Sequence, residues 1–269
     1  MSVLLQISDP HFGTEQSPVV EALVSLSRER QPDLVVLSGD ITQRATSVQF
    51  RAARAFMDRL GVPYLAIPGN HDIPLIDLSA RLLNPYSRYR RAFGNVLEPV
   101  HDSPDLLVLC VNTTRWYRHV NGEVSTAQID RVAAALAQAS SAQLRVVVVH
   151  QPVAVMRVAD AHDCLRGHEV ALPQWSTAGC DIIMGGHIHL PYVKALPKLS
   201  RAMWAVQAGT SVSSRVRDGM PNSVNIVRCG ADAPDGCCVI EQWDYAAGVD
   251  AFVASTVTEI VPVRRTFAA

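Results

Sequence analysis

Apolar residues in this chain come in two alternating arrangements. Short apolar runs at 3–7, 34–37, 64–67, 146–149 and 182–184, the first interrupted by Gln6, have the length of buried strands. Between them, 18–30, 47–60 and 126–139 carry the wider apolar spacing of helices, with Ser17, Thr46 or Ser47, and Ser125 placed to cap their N-termini. Strands alternating with helices predict an α/β fold with a largely parallel sheet. Beyond Leu190 the pattern changes to strand-like stretches at 202–208, 223–227, 238–245 and 251–263, separated by Gly, Pro and Asp turns. These predict a second sheet with antiparallel connections, packed on the first. Residues 230–236 read as a hairpin loop, and neither a repeat nor a linker interrupts the chain, so 1–269 is expected to form a single domain. An excursion at 73–99 combines Arg81, Arg88, Arg90 and Arg91 with several leucines and aromatics, and it leaves a strand end where it can cap a site.

The strand ends carry the chemistry. The first run leads into Asp9 and His11, the second into Asp40, the third into Asn70, His71 and Asp72, the fourth into His150, and the fifth into His187 and His189. In α/β sheets the loops beyond the carboxyl ends of strands converge, so separate clusters can build one site. Glycines beside the clusters (Gly39, Gly69, Gly185, Gly186) suit sharp turns that aim neighbouring side chains at one point. Together these residues supply ligands for two metal ions. Mixed oxygen and imidazole donors suit Mn, Fe, Zn or Co better than calcium, and none of the clusters contains the cysteine of a thiolate zinc site. A carboxylate such as Asp40 can bridge two cations.

Composition narrows the partners. Hydrophobic residues make up 48% of 269, ample for a large core, and the formal net charge is −1. A near-neutral chain has no basic track for a nucleic-acid polymer. None of its apolar stretches nears the roughly 20 residues that span a bilayer. With no leader pattern before Asp9, the expectation is a soluble, cytoplasmic protein without stable membrane insertion. The six cysteines read as free thiols, because Cys110 and Cys180 lie in or beside apolar runs and Cys237-Cys238 are vicinal.

The ordered set Asp9-x-His11, Gly39-Asp40, Gly69-Asn70-His71-Asp72, His150 and Gly186-His187-Ile188-His189 resembles the calcineurin-like metallophosphoesterases, especially their bacterial cyclic-nucleotide phosphodiesterase branch. The resemblance implies a four-layer α/β/β/α sandwich of two facing mixed sheets. It implies one divalent ion held by Asp9, His11, Asp40 and His189, a second by Asp40, Asn70, His150 and His187, and hydrolysis by a metal-bridging hydroxide. It further implies that His71 stabilises the phosphoryl group and protonates the leaving oxygen, with Asp72 orienting it.

Arg44, Arg215 and His119 are the candidate substrate contacts; for each, a solvated surface residue is the plain alternative. His162, Asp163, Cys164, His168 and Glu169 have irregular spacing in a polar stretch and read as loop residues rather than a second metal site. The expected substrate is a small phosphoester. A phosphodiester such as a cyclic nucleotide is favoured, a phosphomonoester on a nucleotide or lipid is the alternative, and a non-catalytic scaffold is a third reading. Oligomeric state is open, a homodimer included.

Overall fold

A computed structural model describes residues 2–217, 219–230 and 237–263. Its elements in chain order are β1 (Ser2–Ile7), α1 (Ser17–Arg30), β2 (Leu34–Ser38), α2 (Ser47–Leu60), β3 (Tyr64–Ile67), α3 (Leu78–Leu83), α4 (Ser87–Phe93), β4 (Val100–Asp102), β5 (Leu106–Cys110) and α5 (Thr126–Gln138). They continue with β6 (Leu144–Val148), α6 (His168–Ala178), β7 (Ile182–Gly185), β8 (Tyr192–Ala195), β9 (Trp204–Gln207), β10 (Ser223–Cys229), β11 (Cys238–Ala246) and β12 (Ala251–Ile260). Thr46 and Ser125 cap α2 and α5 through their side chains. Ser17 does not cap α1: it is the first helical residue, Gln16 stands before it, and Pro18 fixes the opening turn.

The strands form two six-stranded mixed sheets, ordered β12-β11-β10-β1-β2-β3 and β4-β5-β6-β7-β9-β8. Their alternation explains the layers. Leu4, Leu34 and Val36 face Val146, Val148 and Met184 in a core between the sheets. The intervening Leu5, Ile7, Val35 and Leu37 pack outward under α1 and α2, and Val147 and Val149 pack outward under α5 and α6. The result is the α/β/β/α sandwich that the resemblance implies.

The sheet partition expected from the hydrophobic pattern is corrected. Late strands do not make a sheet of their own: β10 pairs antiparallel with β1 and extends the first sheet, while β9 pairs parallel with β7 and extends the second. Strand pairing depends on which edges meet in space, and that is not written in local periodicity. Residues 231–236, read as a hairpin loop, lie outside the described residues. The 73–99 excursion divides in two. In α4, Tyr89 is buried and its hydroxyl donates to the Ala66 carbonyl (2.7 Å), whereas α3 has no buried residue. No described helix is long and apolar enough to cross a membrane.

Candidate metal centre

The five predicted clusters come from both sheets. β1, β2 and β3 of one deliver Asp9, His11, Asp40, Asn70 and His71; β6 and β7 of the other deliver His150, His187 and His189. Asp9, His11, Asp40, Asn70 and His150 are buried. Five of the nine described non-glycine residues with positive φ are Asp9, His11, Asp40, His187 and His189. That concentration marks a site where surrounding structure holds the backbone in a costly conformation. It also corrects the glycine argument, since at the site the left-handed backbone falls mostly on the candidate ligands themselves. Gly39 does take φ +95, but Gly69 and Gly186 serve close approach. A Cβ on Gly69 would lie 2.2 Å from Asp40 Oδ1, and one on Gly186 would lie 2.3 Å from Asp9 Oδ2.

The side chains gather into three overlapping groups, Asp9/His11/His189, His11/Asp40/His71 and Asp40/His150/His187, each with donor atoms within 4.8 Å of one another. His11 Nε2 and His189 Nε2 are 3.1 Å apart, and His189 Nε2 is 3.3 Å from Asp9 Oδ1. His150 Nδ1 donates to the Ser38 carbonyl (2.9 Å), so Nε2 faces Asp40 Oδ1 (3.2 Å) and Asn70 Oδ1 (3.2 Å). His187 Nδ1 is buried with no hydrogen-bond partner.

Lone pairs pointed at one another, and a buried nitrogen without a donor, are what a cation between them would relieve, so the donor set fits divalent metal ions. Charge agrees. Burial works to raise the Asp9 carboxyl, but the hydrogen bond and charge of His189 hold it at about 2. Burial likewise opposes ionisation of Asp40, yet His150 keeps it well below the usual carboxylate range. Burial lowers His11 to about 3 despite both carboxylates, leaving a neutral ring able to ligate. His150 is driven the other way: burial lowers it, but Asp40 outweighs that and lifts it to about 9.

His71 sits at the edge of this centre. Its backbone N–H donates to Asp40 Oδ1 (2.8 Å), its Nδ1 to the Gln43 carbonyl (3.0 Å), and Arg215 Nη1 lies 3.2 Å from its Nε2. The expectation that Asp72 orients His71 is corrected. Asp72 is buried and accepts from the backbone of Gly69, Ile41 and Thr42 and from the Thr42 hydroxyl, so it ties the β2 and β3 loops together. Adjacent side chains in a tight turn diverge, and Gln43 takes the orienting position.

A cavity of about 420 Å³ opens over the centre, lined by Asp40, Asn70, His71, His187 and His189, and by Arg215. Arg215 also places Nη1 3.3 Å from His11 Nδ1, and its backbone carbonyl accepts from His189 Nδ1 (2.6 Å). Arg44 and His119 are exposed and line a smaller cavity of about 70 Å³ beside His71. Arg81 and Arg88 are engaged elsewhere, Arg81 with the Pro74 and Arg118 carbonyls and Arg88 with Asp77. Sequence reasoning missed Asp160 and Arg217, and set Asp163 aside as a loop residue; all three line the wall of the cavity over the centre. Asp160 and Asp163 stand in a 3₁₀ turn at Val158–Asp163, followed by α6, where a loop was expected; Pro173 inside α6 hides its pattern.

A sequence profile of the calcineurin-like phosphoesterases matches residues 2–191. The chain belongs to that family. A Synechococcus protein named probable cyclic nucleotide phosphodiesterase is 24% identical over 71% of this chain and 74% of its own length. The glycerophosphodiester phosphodiesterase GpdQ of Enterobacter lignolyticus is 39% identical over 26% of this chain and 29% of its own length. A dimetal phosphatase from Danio rerio shares the fold with a TM-score of 0.69 at 13% identity, over 97% of this chain and 99% of that one. Family, relatives and donor clusters together support a hydrolase that uses divalent metal ions.

Proposed function

We propose that this member of the calcineurin-like phosphoesterases hydrolyses phosphodiesters, with a cyclic nucleotide as the favoured substrate. The observation that carries the metal-dependent chemistry is the run of three donor groups sharing His11 and Asp40, which supports two adjacent cation positions. Asp9, His11, Asp40 and His189 would hold one ion, and Asp40, Asn70, His150 and His187 the other. When bound, the ions supply positive charge to the phosphoryl oxygens and make water nucleophilic near neutral pH. The names of the relatives favour a diester over a monoester.

The chain's own groups finish the reaction. With Nδ1 of His71 committed to Gln43, Nε2 is the ring atom left to meet the substrate. Arg215 now donates towards it; an arriving phosphate oxygen competes for the guanidinium and frees the Nε2 lone pair to take a proton from solvent and pass it to the leaving oxygen. Arg215 then offers its planar fork to a nonbridging oxygen. Phosphoryl transfer asks mainly for such positioning and charge stabilisation, so no protein nucleophile is required.

The test is hydrolysis of bis-p-nitrophenyl phosphate and p-nitrophenyl phosphate by metal-stripped protein reloaded with Mn, Fe, Zn or Co, followed by cyclic nucleotides. Metal-dependent cleavage favouring the diester supports the proposal. A preference for the monoester would replace it with a phosphatase reading, and two bound ions without turnover of any of these substrates would favour a scaffold.

A further inference from the structure

Asp163 stands among residues that sequence reasoning set aside, yet its side chain is mostly buried and lines the cavity over the metal centre. Its Oδ1 lies 3.7 Å from Nε2 of His187, on the side of the ring away from the buried, unpartnered Nδ1. Donor atoms of His187, Asp40 and His150 gather within 4.8 Å of one another, and the His150 ring lies 5.2 Å from that of His187, centroid to centroid.

The carboxylate is held there by a tether. Arg217 donates through Nη2 to Asp160 Oδ1 (2.8 Å) and through Nη1 to the carbonyl of Ile188 (3.2 Å). One guanidinium thus clamps the Val158–Asp163 turn onto the loop that carries His187 and His189. Asp163 has a second neighbour, His162 Nε2 at 3.4 Å, on a ring that is 76% exposed and whose Nδ1 donates to the Ala159 carbonyl (2.8 Å).

We infer that Asp163 is a positioning residue for the second metal ion: it holds the His187 proton on Nε2 and so presents the Nδ1 lone pair to the ion shared with Asp40, Asn70 and His150. An imidazole has one proton to place when neutral, and a carboxylate beside one nitrogen decides which nitrogen remains a donor to metal. The inference rests on the two-ion reading above. It concerns metal affinity, whichever ester is cleaved.

The experiment is calorimetric titration of metal-stripped protein with Mn(II), with metal content measured after desalting, for wild type, Asp163→Asn, Asp163→Ala and Asp163→Glu. Wild type should bind two ions. The Asn and Ala variants should keep one site and bind the other on the order of 10–100-fold more weakly, with Glu recovering part of the loss. Circular dichroism melts matching wild type show that the fold is intact, and the isosteric Asn variant covers the case in which Ala unfolds. If wild type takes up fewer than two ions, the metal reading itself fails. If wild type binds two and the Asn variant binds both equally well, the Asp163 assignment alone fails; a raised KM with those affinities unchanged would assign Asp163 to the substrate instead.

Discussion

Arg215 Nη1 lies 3.2 Å from His71 Nε2, although the two residues are 144 positions apart in the chain. The contact joins the loop after β9 to the loop after β3, and it puts a permanent positive charge at the mouth of the metal centre. Replacing Arg215 with alanine removes a charge-assisted bond of about 1.5–3 kcal/mol. Diester kcat/KM should fall on the order of 10–100-fold, with metal content unchanged, because the hold on His189 is through the Arg215 main-chain carbonyl. Steady-state kinetics beside metal analysis checks this, and metal loss in Arg215→Ala would mean that the side chain shapes the centre itself.

Gly69→Ala should be far more damaging than its size suggests. The added Cβ would meet Asp40 N at 2.0 Å and Oδ1 at 2.2 Å, and backbone cannot swing away as a flexible side chain can. The expected outcome is destabilisation of about 1–3 kcal/mol or more, together with reduced metal uptake. Thermal melts and metal stoichiometry read both, and a variant that melts and binds like wild type would show that the β2 and β3 loops yield easily.

Asp72→Asn separates a structural carboxylate from a catalytic one. Backbone donors from Gly69, Ile41 and Thr42 and the Thr42 hydroxyl converge on it, and an amide NH₂ would leave a buried donor facing another donor. Stability should fall by about 1–3 kcal/mol for each donor stranded, visible in the denaturant midpoint. Normal stability with slowed turnover would return Asp72 to the catalytic role.

The cysteines give a check on packing. Cys110, Cys180, Cys229 and Cys238 are buried. Burial pushes the Cys110 and Cys180 thiols far up, so both stay protonated at pH 8 and unreactive. A disulfide reagent at pH 8 should modify only the half-buried Cys164 and Cys237 in native protein and all six in denaturant; rapid modification of a third thiol would place one of the buried four at the surface.

Local signals were enough for most elements. Thr46 and Ser125 announce α2 and α5 because capping is a matter of neighbouring residues. α6 was not legible, because Pro173 interrupts the pattern and the helix is held in place by packing, with Trp175 buried and donating to the Ile129 carbonyl. Asp163 was not legible either. Nothing in a stretch of His, Asp and Cys says that one carboxylate will meet a histidine 24 residues on.

The candidate metal donors are legible in the sequence alone. Asp9, His11, Asp40, Asn70, His150, His187 and His189 declare themselves by residue type and by following apolar runs, since strand length and donor chemistry are local properties. Tertiary structure decided the rest. Which strand lies beside which is set by edges that meet only when the chain closes, so β10–β12 joined β1 rather than forming a separate sheet. The left-handed backbone at five candidate ligands, the divergence of Asp72 from His71, and the approach of Arg215 and Asp163 all depend on contacts between distant segments. Packing imposes those contacts, and no local preference encodes them.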